Sequence, residues 1–332
     1  MGAYFLAVNL RTKASKDVSM KPTTIIILAI AIAYVSSGCS ERDAVPAHSG
    51  GDSNVVDVIV RGLEFDAPDE IQSGWTTLRL SNESGMVHFA TLQHLPEGIT
   101  LKDQQEQLAP VFQKGMDLLN AGETDAAMQK FGEIPEWFGQ IVFMSGPGFI
   151  SAGQTAETSV YLEPGTYLLE CYVKTNGVFH SYNPSPSAYG MVHELTVTEE
   201  SSDVAEPSAT LTITISSARG VEVQGDPTPG EHTVSVYFED QQIHENFLGH
   251  DVHLVQLEND TDIEELAIWM DWSQPTGLET PAPAEFLGGT HEMPAGETAY
   301  FNVRLEPGDY AWIAEVPNPL EKGMLKTFTV ND

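Results

Sequence analysis

The sequence predicts an all-β protein made of two Greek-key β-sandwiches, the first of which carries a helical insertion. Most segments alternate apolar and polar residues with the period of a β-strand, as in residues 76–80, 158–162 and 167–173. The chain also contains two stretches that repeat the same motifs in the same order. The segment of about residues 100–138 differs, because its apolar side chains recur at the spacing of a helix.

The amino-terminal segment has the features of a secretory signal. Lys21 supplies a positive charge, and the apolar run at 25–35 is too short to span a bilayer comfortably. The run ends in Ser-Ser-Gly-Cys-Ser, which resembles a lipobox with Cys39 as the acylated residue. An ordinary signal peptide cleaved nearby and a short retained anchor are the alternatives. We expect residues 1–39 to be a signal peptide with a lipobox, and the protein to be an extracytoplasmic lipoprotein on the periplasmic or outer-membrane face.

Polar segments divide the remaining chain. Residues 40–54 are rich in glycine, serine and aspartate, which predicts a flexible tether, and regular structure should begin near Val55. A second polar stretch at 199–208 is interpreted as an interdomain linker. The expected domains are therefore 55–198 and 209–332.

The two expected domains are copies of one unit, because the same motifs recur on both sides of the linker. Leu-Glu-Pro-Gly followed by Thr-Tyr or Asp-Tyr predicts a hairpin turn in each copy, since proline and glycine fix the bend. The paired motifs are Leu162–Tyr167 with Leu305–Tyr310, Gly190-Met191 with Gly323-Met324, and Val87-His88 with Val252-His253.

The helical insertion interrupts the first copy. Thr100 followed by Asp103 is a typical helix start, and Pro110 indicates a join between two helices. We interpret the apolar residues at helical spacing as a packing face; they are Leu108, Val111, Phe112, Met116 and Leu119.

The charge balance restricts the partners of the protein. The chain has 48 acidic and 15 basic side chains, for a formal net charge of -33. Nucleic acid is disfavoured as a partner, because binding a phosphate backbone requires lysine and arginine, and docking on anionic lipid by charge alone is disfavoured for the same reason. The charge suits solubility, a high-salt medium, or a basic redox partner such as a positively charged cytochrome.

The chain has only two cysteines, Cys39 and Cys171. If Cys39 carries lipid, Cys171 has no partner for a disulfide within the chain. A free thiol outside the cytoplasm is expected to be protected by burial or by metal coordination.

Four residues have the types and order of a copper ligand set: His88, Cys171, His180 and Met191. Cys171 stands near the end of a predicted strand, after the Pro-Gly-Thr-Tyr turn, and the other histidine and the methionine follow it. This arrangement resembles the cupredoxins. The resemblance implies a Greek-key β-sandwich, usually with one-electron transfer, in which His88 and His180 provide imidazoles, Cys171 the thiolate and Met191 a weak axial ligand for one copper ion.

Two spacings depart from the simplest members of that family. Eight residues separate Cys171 from His180, a spacing similar to that of copper nitrite reductases. Ten residues separate His180 from Met191, which indicates an insertion that could displace Met191 and leave a three-ligand site. His94 and His193 are the possible substitutes for Met191.

The second copy lacks the complete ligand set. Cys171 aligns with Ala314, and the loop that would carry a counterpart of His180 is deleted, so only His253 and Met324 have matching positions. Either this copy has lost copper while the first copy kept it, or neither copy uses metal and Met191 is a packing residue.

Signatures of copper and zinc enzymes are missing from the sequence. Copper nitrite reductases have a histidine directly before the cysteine ligand, where this chain has Glu170, and neither the His-x-His pairs of multicopper oxidases nor a His-Glu-x-x-His motif occurs. We therefore expect an electron carrier with one copper ion in the first domain, using an exposed edge of His180 as the electron exit. The alternatives are a metal-free cupredoxin-fold binding module on the cell surface and a copper carrier or storage protein.

Overall fold

The first strand of the described residues begins at Val55. The computed structural model describes residues 54–185 and 188–332, so the expected signal peptide, Cys39 and all but the last residue of the expected tether lie outside the described residues. In the described ranges, we find no helix with the length and apolarity needed to cross a bilayer.

The first repeat is a two-layered β-structure organised around one long strand, β3. The carboxyl-terminal half of β3 pairs in parallel with β1 and antiparallel with β6, whereas its amino-terminal end pairs in parallel with β10. The second layer continues from β10 through β7 and β4 to β5. The strands are β1 Val55–Arg61, β2 Glu64–Asp66, β3 Glu70–Asn82, β4 Thr91–His94, β5 Val142–Phe143, β6 Thr155–Leu162, β7 Gly165–Glu170, β8 Lys174–Thr175, β9 Val178–Phe179 and β10 Val192–Ser201.

The helical insertion lies between β4 and β5. It begins at the predicted cap, where the backbone N–H of Thr100 donates to the Asp103 carboxylate at 3.1 Å and the N–H of Asp103 faces the Thr100 hydroxyl at 3.4 Å. Pro110 lies in the first turn of the longest helix, directly after a π-helical turn, and so marks the predicted join. The helical segments are α1 Leu101–Asp103, the π-turn Gln104–Leu108, α2 Ala109–Asn120, α3 Thr124–Phe131 and the 3-10 turn Glu136–Gln140.

The second repeat has most of the same strand pairs, although its last strand, β18, pairs with β17 and not with β13. The strand β13 pairs in parallel with β11 and antiparallel with β16, as β3 does with β1 and β6, and β14, β17 and β18 form the facing layer together with β15. Its elements are β11 Leu211–Ser216, β12 Gly220–Gln224, β13 Gly230–Phe238, β14 Val252–Leu257, α4 Ile263–Trp269, β15 Glu285–Thr290, β16 Thr298–Leu305, β17 Gly308–Ile313 and β18 Leu325–Val330.

The two repeats are joined edge to edge. Strand β6 of the first pairs antiparallel with β16 of the second, so that Thr158 lies opposite Phe301 in a continuous sheet. The segment 147–150 also pairs with β15, through Pro147 with Thr290 and Ile150 with Leu287. Residues 52–332 therefore make one compact unit with a continuous apolar core. The prediction of an all-β fold with two Greek-key sandwiches and a helical insertion is confirmed.

The connection between the repeats differs slightly from the polar stretch seen in the sequence. Strand β10 continues to Ser201, and the segment without regular structure covers residues 202–210. The backbone N–H of Ser202 donates to Ser73 O at 2.9 Å, and Tyr300 donates its hydroxyl proton to Glu206. The connection is thus attached to both repeats.

Candidate metal centre

Three residues of the predicted ligand set meet at one end of the first sandwich. His88 precedes β4 and pairs through its backbone with Ile150, at 3.1 Å and 2.8 Å. Cys171 directly follows β7, and His180 directly follows the short hairpin of β8 and β9. The topology brings together a residue before β4, one after β7 and one after β9, because β4 and β7 are antiparallel neighbours.

Both imidazoles direct the same ring nitrogen to the cysteine sulfur. Nδ1 of His88 is 3.5 Å from Cys171 Sγ, and Nδ1 of His180 is 3.9 Å from it. The two ring centroids are 4.9 Å apart. His88 and Cys171 are fully buried, and His180 is 3% exposed. The three donor atoms are therefore grouped closely enough to hold one metal ion.

Burial keeps both imidazoles neutral. It lowers the pKa of His88 to about 3, with the neighbouring His180 contributing, and the pKa of His180 to about 4. Nε2 of His180 is 2.9 Å from the hydroxyl of Thr175, so a proton on Nε2 leaves Nδ1 with a lone pair aimed at the sulfur side. Thr175 was not singled out in the sequence, because its contact with His180 depends on the β8–β9 hairpin, for which the sequence carries no separate signal.

The Cys171 thiol is held where a free thiolate is costly. Burial raises its pKa to about 12, although backbone hydrogen bonds from Phe89 and Val173 act in the opposite direction. A bound cation reverses this balance, because a coordinating thiol loses its proton to the metal. Nε2 of His88, in addition, is buried without a hydrogen-bond partner among the described residues.

The backbone of Met191 lies beside two of its three predicted co-ligands, although ten residues separate it from His180. Its backbone N–H donates to His180 O at 2.6 Å, and its carbonyl accepts from the N–H of Cys171 at 3.1 Å. Its side chain is fully buried. Gly190 makes this approach possible, because a Cβ there would lie 2.1 Å from the backbone of Ser181.

The two alternative axial histidines have other contacts. His94 stacks on the ring of Tyr167 with centroids 4.5 Å apart. His193 places Nε2 3.0 Å from Pro68 O. Neither belongs to the group formed by His88, Cys171 and His180.

The second repeat reproduces the backbone of the site without its thiol. The N–H of Ala314 donates to Met324 O at 2.9 Å, which is the counterpart of the bond from Cys171 to Met191. Ala314 therefore occupies the position of Cys171, as the alignment of the two copies predicts. This correspondence, together with the matching strand pairs, shows that the two repeats share one architecture.

The fold is cupredoxin-like. Within the first cupredoxin-like repeat, two neutral imidazoles and a cysteine sulfur form a donor set of the soft and borderline kind that copper prefers. The cluster thus fits a single copper ion.

Comparison with known proteins finds similarity to solved structures alone, and that similarity is low. No protein-family model matches the sequence, and no curated protein matches it significantly. Auracyanin B is 21% identical over 39% of this chain and 94% of its own, with a TM-score of 0.28. Auracyanin A, a blue copper protein of Chloroflexus aurantiacus, is 20% identical over 43% of this chain and 98% of its own, with a TM-score of 0.24.

Another similarity covers more of the chain. Copper nitrite reductase from Nitrosomonas europaea is 13% identical over 84% of this chain and 93% of its own, with a TM-score of 0.20. All these TM-scores are below 0.5, so the assignment of the fold rests on the strand order and the repeated backbone bonds described above.

Glu170, directly before Cys171, points away from the cluster. Its carboxylate accepts hydrogen bonds from Gln93 at 2.6 Å and from Gln104 at 3.0 Å. Burial raises its pKa, while these amides and Ser181 lower it. The insertion therefore contributes to fixing the strand that carries Cys171, since Gln104 lies in its π-turn.

The expectation of an exposed His180 edge is wrong. Residues 278–280 of the second repeat cover this side of the cluster, through the bond from Thr280 N to Lys174 O at 2.9 Å and a contact of 2.8 Å between the hydroxyls of Thr175 and Thr280. A shallow groove, lined in part by Met86, Val87 and Pro281, lies beside this cover. Both repeats thus contribute to the cover on this side of the cluster.

Proposed function

We propose that the protein is a carrier of single electrons that holds one copper ion in its first repeat. His88, Cys171 and His180 would bind the ion, with Met191 as a weaker fourth donor. The observation that supports this proposal best is the convergence of two Nδ1 atoms on one buried cysteine sulfur, at 3.5 Å and 3.9 Å. When bound, copper supplies one-electron redox chemistry by alternating between two oxidation states.

The protein's own part in this function is to fix the donors and to exclude water. The backbone bonds of Met191 to His180 and Cys171 tie three of the donors together, and the Thr175 hydroxyl orients one imidazole. A set of donors fixed in this way changes little between oxidation states, which keeps the reorganisation on electron transfer small.

Burial also separates this proposal from its closest rival. A copper carrier or storage protein needs ligands from which the ion can pass to a partner, whereas the donors here are at most 3% exposed. Electron transfer needs no such access. We therefore favour the electron carrier over the copper carrier and over a catalyst that must admit a substrate to the metal.

The partner and the location belong to the same proposal. A basic redox protein, such as a cytochrome, would be attracted by a chain with 48 acidic and 15 basic residues. The groove beside Met86, Val87 and Pro281 gives such a partner an approach to the cluster. Diacylglycerol on Cys39 would hold the protein at a membrane surface outside the cytoplasm.

A copper titration tests the function. Purified chain loaded with Cu²⁺ should turn blue or green, with an intense thiolate-to-copper absorption band at one ion per chain. Cys171→Ala should abolish the band, while His193→Ala should keep it because that imidazole contacts Pro68 instead. Colourless protein that binds only Cu⁺ would favour the copper carrier, and a chain that binds no stoichiometric copper would favour the metal-free binding module.

The lipid anchor has its own test. Cys39→Ala should move the protein from the membrane fraction to the soluble fraction of the producing cell and remove the lipid from its mass, because acylation needs this thiol. Cys171→Ala should stay in the membrane fraction. Equal fractionation of the Cys39→Ala variant and the parent would contradict lipid attachment at this residue.

A further inference from the structure

A second group of buried donors lies in the second repeat. One ligand atom each from Asp251, His253 and His291 lies within 4.8 Å of the others. Both histidines are fully buried, and the aspartate is 2% exposed. The group contains none of the residues assigned above to the copper cluster.

Two paired strands place these residues together. Asp251 and His253 are two positions apart at the start of β14, so their side chains share a face. Val252 and Thr290 are the last residue pair between β14 and β15. His291 directly follows Thr290, so it lies at the same end of the two strands as Asp251. The sequence shows Asp251 and His253 as an Asp-x-His motif. It does not predict which strand pairs with β14 and brings His291 to them.

The first repeat closes the site from the other side. The N–H of Phe149 donates to His253 Nδ1 at 3.4 Å, and the N–H of His291 donates to Gly146 O at 3.4 Å. Glycine is needed at position 148, because a Cβ there would lie 2.6 Å from His253 Nδ1. The group is therefore enclosed between the repeats and shielded from water.

His291 has both ring nitrogens without a hydrogen-bond partner among the described residues. Its ring lies 4.6 Å from that of Phe89 and 5.0 Å from that of His253, measured between centroids. Leaving a buried polar group unpaired costs free energy, so native structures rarely do so without a reason. An imidazole enclosed in this way, beside a second imidazole and a carboxylate, has the surroundings of a metal ligand.

Two further buried carboxyl groups lie near Asp251. Asp251 accepts from the N–H of Glu315 at 2.6 Å, and Glu292 accepts from the N–H of Gly249 at 2.9 Å. Both glutamates are buried and interact electrostatically with Asp251, and one carboxylate oxygen of Glu315 has no hydrogen-bond partner in the described ranges. Three buried carboxyl groups are a costly arrangement that a divalent cation would relieve.

We propose that Asp251, His253 and His291 bind a divalent transition-metal ion of borderline hardness. Two imidazoles and one carboxylate suit Zn²⁺ and its neighbours in the first transition series, and the group has no sulfur donor for Cu⁺. Around a zinc ion with bonds of about 2.0–2.2 Å, donor atoms lie about 3–4 Å apart, a spacing that these side chains approach.

The hydrogen bonds of the site show what ion binding must change. Nε2 of His253 is 2.9 Å from Asp251 Oδ2, and the ring proton must move to Nδ1 when the ion takes both atoms as ligands, so that Nδ1 no longer accepts from the N–H of Phe149. Asp251 keeps its second oxygen on the N–H of Glu315. Glu315 is outside this group of three donors, and one of its oxygens accepts from the Tyr172 hydroxyl at 3.0 Å.

Zinc binding by the full chain tests the proposal. Equilibrium dialysis against Zn²⁺, with the bound metal counted, would be made on Cys171→Ser, so that the copper cluster lacks its thiolate. We expect one tightly bound zinc ion per chain. Adding His291→Ala should weaken binding at least about tenfold, the lower range for loss of a metal-site residue, whereas adding His193→Ala should leave it unchanged. Equal zinc binding with and without His291, or no tight zinc at all, would overturn the proposal.

A second variant and a second readout cover a failure of folding. Asp251→Asn keeps the size of the side chain and should weaken zinc binding by a similar factor. Zinc should raise the thermal unfolding midpoint of the Cys171→Ser parent relative to chelator, because it binds only the folded chain, and should not raise that of either variant. Equal rises in all three would refute the site. The copper colour of the wild-type protein is independent of these outcomes.

Discussion

At the scale of single residues, Met191 decides what kind of copper site the first repeat can form. Its backbone bonds to His180 and Cys171 are established, and they have a counterpart at Met324, where there is no thiol. The backbone hydrogen bonds of Met191 therefore do not depend on whether its sulfur binds a metal ion. Substitution by leucine removes only the sulfur, since leucine has a similar volume and keeps the backbone groups.

We predict that Met191→Leu keeps the copper colour but raises the reduction potential. Cu²⁺ has the higher charge and gains more from a fourth donor than Cu⁺, so replacing this donor by an alkyl group weakens binding of Cu²⁺ relative to Cu⁺. Each tenfold change in that ratio corresponds to about 59 mV, so a rise of this order is expected in a redox titration followed by absorption.

Met324→Leu is the matched control, because it makes the same change in the copy where Ala314 replaces the cysteine. It should leave the potential of the copper unchanged. Should Met191→Leu and Met324→Leu have the same potential as the wild type, Met191 would be a packing residue, as one reading of the sequence allows.

At the scale of elements, the connection between His180 and β10 determines whether the insertion disturbs the site. Gly190 packs against Ser181, and its N–H donates to the Gln105 side chain at 2.7 Å. The helical insertion therefore holds the far end of the loop that the sequence showed as unusually long. This contact explains why the Met191 backbone stays beside His180 and Cys171 although ten residues intervene.

Gly190→Ala should destabilise the protein and weaken its copper band. The new Cβ would lie 2.1 Å from the backbone of Ser181, and overpacking of this kind costs about 1–3 kcal/mol. Urea unfolding of the metal-free chain measures the loss. Gly139→Ala is the control, because a Cβ there has no heavy atom within 4 Å. Equal stabilities of the two variants would contradict the close approach at Gly190.

The sequence predicted the elements better than their contacts. Strand alternation, the Thr100 cap and the repeated Pro-Gly turns are local patterns, and each is confirmed. The grouping of His88, Cys171 and His180 followed from motif order. The covering of His180 by Thr280 and the enclosure of His291 depend on how one repeat packs against the other, and no local pattern encodes that packing.

At the scale of the whole molecule, Lys174 links three parts of the chain. It is fully buried in β8, and its Nζ donates to Trp272 O and Gln274 O of the second repeat, both at 2.9 Å. The same atom is 3.7 Å from the sulfur of Met116 in α2. Burial lowers the pKa of this amine from 10.5 to about 8, while Glu279, Asp271 and Glu315 act to raise it.

The sign of the resulting pH dependence follows from proton counts. Between about pH 8 and pH 10.5 the unfolded chain keeps the Lys174 proton and the folded chain releases it, so the free energy of unfolding rises with pH in this window. At about 1.4 kcal/mol per pKa unit, the gain is on the order of 3 kcal/mol. Below pH 8 the amine is charged in both states and contributes no slope.

We predict that Lys174→Met lacks this gain. Urea unfolding of the metal-free proteins measures this. From pH 7.5 to pH 10.5, the free energy of unfolding of the wild type should rise by about 2–3 kcal/mol relative to that of the variant. Other groups that titrate in this range, including tyrosines, are present in both proteins and cancel in the difference. Lys114→Met is the control, because that side chain is exposed and should follow the wild type. If the Lys174→Met difference were independent of pH, the amine would titrate alike in both states, and its burial between the repeats would not lower its pKa.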